Sequence, residues 1–140
     1  MNHPSILVID DTPANLKLIR LLLTQEGCIV RTAEGAEEAV EALTSFTPDA
    51  VLTDIQLPGI TGLDLTRLIR SNPQTKDMVV VGVSANAMKE NIEEGYNAGC
   101  DGYITKPIDT RTFGPSVRKY VERGRNLTPR PPEGYDELGL

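Results

Sequence analysis

The chain has 140 residues, of which 39% are hydrophobic and 24% charged, and its net charge at pH 7 is −6. We expect one soluble globular domain from this size and composition, and the acidic balance argues against unaided binding to nucleic acids or membranes. No apolar run approaches the roughly 18 residues that span a bilayer, the first residues lack a signal-peptide pattern, and isolated Cys28 and Cys100 favour a reducing, cytoplasmic setting over a zinc site.

Apolar runs bounded by turn residues alternate with segments of helical periodicity. The predicted strands are residues 5–9, residues 29–33, a run that ends at Asp54, residues 78–83 and residues 101–105. The predicted helices are residues 13–26, 34–45, 61–71 and 89–98, and a fifth that follows Asp109. Thr12 and Asp109 are the predicted N-caps of the first and last helices. Ala39, Val40 and Leu43 of the second helix are predicted to face inward. In the other helices, the apolar residues on one side or at helical spacing are Leu16, Ile19, Leu23, Leu65, Leu68, Ile69, Phe113, Val117 and Val121.

Five strands that alternate with five helices predict an α/β fold, a doubly wound parallel sheet with helices on both faces. The fourth strand is apolar throughout, as expected for a strand that is covered on both sides. From about Gly124 the chain becomes rich in proline, which prevents a continued helix. The predicted organisation is therefore one domain over residues 1–124 and a Pro-rich, flexible C-terminal tail over residues 125–140.

Polar residues end four of the strands: Asp10 with Asp11, Asp54, Ser84 and Lys106. Because the carboxyl ends of parallel strands share the edge where ligands bind, these side chains should converge. Two acids replace the glycine-rich phosphate cradle expected after the first strand of a nucleotide-binding site, so phosphate could approach only beside a divalent cation such as Mg²⁺. With a lysine and a hydroxyl nearby, Asp54 suits attack on phosphorus, which gives an aspartyl phosphate.

Each of these residues also has a structural explanation when it is taken alone. Asp10 and Asp11 could be charges at a helix N-terminus, Ser84 a turn residue and Lys106 a solvated lysine. Tyr103 alone is most simply a half-buried strand aromatic. Their joint placement at consecutive strand ends favours a functional site.

Four segments resemble the response-regulator receiver domain of the CheY-like superfamily. They are the Asp10-Asp11 pair, DIQLPGITG around Asp54, SANA from Ser84 and YITKP from Tyr103. The resemblance extends over residues 5–123, and DIQLPGITGLDL with NAMKE is especially similar to DivK-type single-domain response regulators. It implies a flavodoxin-like fold with strand order 2-1-3-4-5.

The resemblance implies a phosphoacceptor in a two-component phosphorelay. Asp54 would take a phosphoryl group from the phosphohistidine of a histidine kinase or phosphotransfer protein. The Mg²⁺ cofactor would be bound by Asp11, Asp54 and the backbone carbonyl of Gln56, and by Asp10 mostly through water. The only reactions catalysed would be its own phosphorylation and autodephosphorylation, so it would not be an enzyme in the usual sense.

The resemblance also implies how the signal passes on. Ser84 and Lys106 would hold phosphoryl oxygens, and Tyr103 would be a switch aromatic that moves with Ser84. The peptide bond before Pro107 would be cis. The positions that match kinase docking are Asn15, Leu18, Pro107 and Ile108. Output would pass through contacts with a downstream protein, with no direct nucleic-acid or membrane binding, at the face made by the fourth helix, the fifth strand and the fifth helix.

Three other interpretations fit parts of the sequence. A haloacid-dehalogenase-type phosphatase would also use Mg²⁺ and an aspartate nucleophile, but it needs a second acid where Gln56 stands and a nucleophile after its first strand. A binding module that lost the chemistry is disfavoured because every phosphorylation residue is present. A receiver domain of a hybrid histidine kinase is the third alternative, and we expect a free-standing regulator instead.

Overall fold

The computed structural model of the chain describes residues 3–125. The strands are β1 (Ser5–Ile9), β2 (Ile29–Ala33), β3 (Ala50–Asp54), β4 (Val79–Ser84) and β5 (Gly102–Thr105). The helices are α1 (Pro13–Gln25), α2 (Ala36–Leu43), α3 (Gly62–Ser71), α4 (Lys89–Ala98) and α5 (Phe113–Arg123). No helix among these residues is long and apolar enough to cross a membrane. The predicted tail from residue 126 onward lies outside the described residues.

The five strands form one parallel sheet in the order β2-β1-β3-β4-β5, which confirms the predicted fold and strand order. The register aligns the ends of the central strands, since Ile9 lies beside Thr53 and Asp54 beside Val83. The residues that follow β1, β3, β4 and β5 therefore meet at one edge of the sheet. This edge is called the carboxyl edge below, and the opposite one the amino edge.

Alternate residues of the central strands belong to two apolar clusters, one on each face of the sheet. Leu7 and Ile9 of β1 belong to the cluster that α2, α3 and α4 cover. Ile6 and Val8 belong to the cluster that α1 and α5 cover. The two-sided coverage explains why β1, β3 and β4 are apolar runs rather than alternating patterns.

Two apolar helix residues are largely exposed: Val40, which was predicted to face inward, and Leu68, which was predicted on the same side of its helix as Leu65 and Ile69. Val40 of α2 is 41% exposed and Leu68 of α3 is 47% exposed. The buried side of α3 instead includes Thr66, which is fully buried and donates its hydroxyl to the Gly62 carbonyl over 2.8 Å. A buried threonine at a helix interior position was not expected, because helical periodicity was read from apolar residues alone.

The predicted caps of the first and last helices also need correction. Thr12 occupies the N-cap position of α1, but its side chain makes no capping hydrogen bond. The N-cap of α5 is Thr112 rather than Asp109. Asp109 Oδ1 instead accepts a hydrogen bond from the Arg111 backbone N–H over 2.9 Å, so this side chain stabilises the turn before the helix. Helix α2 is shorter than predicted, because Gly35 is its extended N-cap.

Candidate active site at the carboxyl edge

Asp54 is held at the end of β3 by the sharp turn that follows it. Gly59 has a φ of 71°, in the left-handed region that favours glycine. At Gly62, the first residue of α3, an added Cβ would clash with the Asp54 carbonyl oxygen. Glycine at this position therefore allows α3 to begin directly against β3. The Asp54 Oδ1 atom accepts a hydrogen bond from the Gln56 backbone N–H over 2.9 Å, which fixes the carboxylate.

The structure brings Asp54 and Lys106 into direct contact, although 51 residues separate them in the chain. The Lys106 Nζ lies 3.0 Å from Asp54 Oδ2 and 3.4 Å from Asp10 Oδ2. Burial raises the pKa of Asp54, while Lys106 and the Gln56 N–H act in the opposite direction. Burial alone would lower the pKa of Lys106, but the hydrogen bond and the charge of Asp54, together with Asp10, outweigh it, so that pKa is raised.

Three carboxylates meet at this edge. Oxygens of Asp10, Asp11 and Asp54 lie within 4.8 Å of one another. Asp10 is buried and its Oδ1 accepts a hydrogen bond from the Thr12 N–H over 2.9 Å, whereas Asp11 is exposed. Three carboxylates against one nearby ammonium leave two excess negative charges. Because Mg²⁺ is a divalent ion that prefers oxygen ligands and needs only one or two carboxylates, this donor set fits it.

Ser84, at the end of β4, is fully buried and lies in a chain of hydrogen bonds. Its Oγ donates to Gln56 Oε1 over 2.8 Å and accepts from the Asn86 backbone N–H over 3.0 Å. Tyr103 is 5% exposed, and its hydroxyl donates to the Asn86 carbonyl over 2.8 Å. Burial raises the pKa of Tyr103, which keeps the hydroxyl protonated as a donor. The loop after β4 is thus tied to both residues that the resemblance identified as switch residues.

Sequence reasoning did not predict the hydrogen bond of the Gln56 side chain. The resemblance assigned the backbone carbonyl of Gln56 to the Mg²⁺ site and implied that the neutral amide at this position tunes hydrolysis, and the structure adds that the side-chain oxygen accepts the Ser84 hydroxyl. The one available signal was an uncharged amide two residues after Asp54. A neighbouring cavity of about 550 Å³ is bordered by this same residue, by Asp11, and by residues of the loop before α3 and of α4. It lies directly beside the carboxylate cluster.

The four residues that the resemblance assigned to kinase docking lie in α1 and in the loop after β5. Asn15 is half-buried, and its Nδ2 lies 3.4 Å from Asp10 Oδ2. Leu18 and Ile108 are half-buried and pack against the cluster that α1 and α5 cover. Pro107 is exposed, and the Lys106–Pro107 peptide bond is cis, the isomer that the resemblance implied.

Comparisons with known proteins show the family to which this chain belongs. The family model described as the response regulator receiver domain matches residues 6–118. The polar-differentiation response regulators DivK of Brucella anthropi and Brucella ovis are each 34% identical to this chain over 118 residues, which is 84% of this chain and 95% of each regulator.

Solved structures with the same fold include the chemotaxis response regulator CheY4 of Vibrio cholerae. It has a TM-score of 0.80 at 22% identity and covers 84% of this chain and 98% of its own. The receiver domain of the sensor histidine kinase PA1611 of Pseudomonas aeruginosa, solved with a magnesium ion coordinated in its active-site cleft, has a TM-score of 0.77 at 26% identity over 86% of this chain and 98% of its own. The chain therefore belongs to the receiver domain family of two-component response regulators.

Proposed function

We propose that this receiver domain accepts a phosphoryl group on Asp54 from the phosphohistidine of a histidine kinase or phosphotransfer protein. The observation that carries the proposal is the position of the Asp54 carboxylate. It lies 3.0 Å from the Lys106 ammonium and within the cluster that it forms with Asp10 and Asp11. A cation on one side and oxygen ligands on the other are what phosphoryl transfer to a carboxylate requires.

In the transfer step, a carboxylate oxygen of Asp54 forms a bond to phosphorus while the bond from phosphorus to the imidazole nitrogen of the donor breaks. Lys106 supplies positive charge to the phosphoryl oxygens. Ser84 supplies a hydroxyl donor once its hydrogen bond to Gln56 is released. Asp11, Asp54 and the Gln56 carbonyl would bind Mg²⁺, and Asp10 would bind it through water. The bound ion would supply positive charge to the phosphoryl group.

The output of the proposed signal is a change of shape at the face made by α4, β5 and α5. Movement of Ser84 toward Asp54 gives up the hydrogen bond from the Asn86 N–H, and Asn86 also holds Tyr103. The loop after β4 and the Tyr103 ring are therefore coupled to the phosphorylation site. A phosphoryl group brings about two negative charges at neutral pH, which is enough to bias two states a few kcal/mol apart.

Two protein partners follow from this function. The kinase or phosphotransfer protein would dock on α1 and on the loop after Lys106, through Asn15, Leu18, Pro107 and Ile108. The downstream target would bind the face made by α4, β5 and α5. The haloacid-dehalogenase-type alternative is not favoured, because the nucleophile follows the third strand and Gln56 stands in place of the second acid.

The proposal is tested by mass spectrometry after incubation with acetyl phosphate and Mg²⁺. We expect the wild-type protein to gain the mass of one phosphoryl group and Asp54→Asn to gain none. Asp49→Asn is the matched control, since Asp49 precedes β3 at the amino edge, where its carboxylate accepts from the Ser5 N–H over 2.7 Å. Labelling of Asp54→Asn at the wild-type level would refute the assignment of the phosphoacceptor.

A further inference from the structure

We propose that the side chain of Gln56 is a positioning residue that holds the domain in its resting state by occupying the Ser84 hydroxyl. The inference rests on the proposed phosphoacceptor function and deepens it. The Ser84 Oγ donates to Gln56 Oε1 over 2.8 Å in this structure. The hydroxyl that should donate to a phosphoryl oxygen therefore already donates to the Gln56 amide oxygen.

The physical basis is that a serine hydroxyl has one proton to donate. It can serve the Gln56 amide oxygen or a phosphoryl oxygen on Asp54, but not both with good geometry. Ser84 is fully buried, so its hydroxyl depends on a protein acceptor rather than on bulk water. Gln56 is exposed and can turn its amide to solvent after release. The two hydrogen-bonded arrangements of the Ser84 hydroxyl are therefore close enough in free energy for one phosphoryl group to change which of them is favoured.

The same hydroxyl is also anchored from its other side. Ser84 Oγ accepts from the Asn86 N–H over 3.0 Å, and the Asn86 carbonyl accepts from the Tyr103 hydroxyl over 2.8 Å. Gln56 thus stands at one end of a continuous chain of hydrogen bonds that ends at Tyr103. The Gln56 amide oxygen fixes the Ser84 hydroxyl, the Ser84 Oγ fixes the Asn86 N–H in the loop after β4, and the Asn86 carbonyl fixes the Tyr103 hydroxyl. Loss of the Gln56 acceptor should therefore weaken the hydrogen bonds of Asn86 to Ser84 and to Tyr103.

The proposal predicts a change in the balance between two states. Removing the acceptor leaves the buried Ser84 hydroxyl unsatisfied in the resting state only, because the phosphoryl mimic provides an acceptor in the other state. Gln56→Met is the informative variant, since methionine is close in length to glutamine but lacks the amide oxygen. We expect about a two- to tenfold lower half-saturating concentration of beryllofluoride at saturating Mg²⁺, the range of one net hydrogen bond.

A double-mutant cycle separates this role from a steric or metal-site effect of residue 56. Beryllofluoride titrations followed by NMR would compare the wild type, Gln56→Met, Ser84→Ala and the double variant. The substitution Gln56→Met should increase the affinity for beryllofluoride when Ser84 is present and should leave that affinity unchanged in the Ser84→Ala background. An equal increase in affinity in both backgrounds, or no increase with Ser84 present, would overturn the proposal.

A second readout uses the resting protein alone, in EDTA and without beryllofluoride. Gln56→Met should shift the Asn86 amide and the Tyr103 ring resonances, and Gln56→Glu, which keeps an acceptor oxygen, should restore the wild-type positions. Unchanged resonances in Gln56→Met would overturn the proposed bond. A wild-type protein that does not respond to beryllofluoride would instead overturn the phosphoacceptor function, and the resting resonances would still decide the role of Gln56.

Discussion

Asp54 and Asp101 are two buried carboxylates at opposite edges of the same sheet. Asp54 is 6% exposed at the carboxyl edge, and Asp101 is fully buried at the amino edge, just before β5. Both contact cationic side chains at hydrogen-bonding distance. They differ in how completely hydrogen bonds and cations of the surrounding protein balance their charge, and this difference separates a structural acid from the proposed phosphoacceptor.

Asp101 is satisfied from several directions. Its Oδ2 accepts from Arg70 Nη2 over 2.7 Å and from the Val80 N–H over 3.0 Å, and its Oδ1 lies 2.8 Å from Arg125 Nε. Arg123 donates to its backbone carbonyl over 3.0 Å. Guanidinium groups stay charged and bind carboxylates in a fixed geometry. The result is an ion cluster that connects α3, β4, β5 and the end of α5.

Among residues 3–125, Asp54 has one cationic partner, Lys106, and two acidic neighbours, Asp10 and Asp11. Lysine is a point charge on a flexible stem, so it can follow a group that arrives at the carboxylate. The neighbouring acids leave excess negative charge that only an added cation can neutralise. The contrast supports the proposal that Asp54 is the phosphoacceptor because its charge is incompletely balanced, and not merely because it is buried.

The largest effect should come from exchanging the two acids for asparagine. Asp101→Asn leaves Arg70 and Arg125 without their counter-charge and should lower the free energy of unfolding by about 3 kcal/mol, at the low end for a broken buried pair because both arginines are partly exposed. Asp54→Asn removes the repulsion between Asp54 and its acidic neighbours, so the free energy of unfolding of this variant should stay within about 1 kcal/mol of the wild-type value. Urea unfolding measures both. Equal losses would break the comparison, as would a failure of folded Asp101→Asn to accept phosphate.

Removal of the divalent cation should abolish labelling of Asp54 by acetyl phosphate, because the excess negative charge then repels the donor. Within the cluster, Asp11→Ala should weaken Mg²⁺ dependence more than Asp10→Ala. Asp10 is expected to act through water, and loss of such an orienting group costs about tenfold in affinity. The extent of labelling, measured as a function of Mg²⁺ concentration, gives the half-saturating Mg²⁺ concentration of each variant. Equal labelling in EDTA and in Mg²⁺ would contradict the role of the cluster.

Kinase docking should depend on α1 beside the carboxyl edge. Leu18→Asp should slow transfer from a phosphorylated histidine kinase by about fivefold or more, the loss of one important contact, and should spare labelling by acetyl phosphate. Leu21→Asp is the matched control on the same helix, where the side chain is 55% exposed. Because Leu18 also packs against the core, thermal unfolding of both variants is needed. Equal slowing by both variants would argue against docking through Leu18.

The smallest effect should come from the Tyr103 hydroxyl. Tyr103→Phe removes only the hydrogen bond to the Asn86 carbonyl, so phosphorylation should persist while the balance between resting and activated states shifts about fivefold. Tyr103→Ala should weaken the readout further, because the ring itself is lost. NMR shifts of residues 85–104 with beryllofluoride provide the measurement, with Tyr96→Phe of α4 as control. Perturbations confined to the metal cluster in the wild-type protein would show that the coupling is absent.

The sequence alone predicted the strands, the order of elements and the residues that end each strand. These features are local, because an apolar run with a turn residue after it specifies a buried strand and its end. The parallel arrangement then brings Asp54, Ser84 and Lys106 together without further information. The predicted helices are present, but Val40 was wrongly predicted to face inward, and Leu68 is exposed although Leu65 and Ile69 are buried, since periodicity gives a helix face only to within about one residue.

The tertiary structure alone decided which side chains meet. The Arg70 and Arg125 partners of Asp101 lie 31 and 24 residues away in the chain, and no local pattern connects them. The Gln56 amide likewise reaches Ser84 only because β3 and β4 are neighbours in register. Burial of an element is encoded in its own periodicity, but the partner of a polar side chain depends on distances between elements. For that reason the sequence determined which strand ends form the candidate site. The fold decided that Asp101 contacts two arginines, whereas Asp54, the proposed phosphoacceptor, contacts Lys106 and lies beside two other acids.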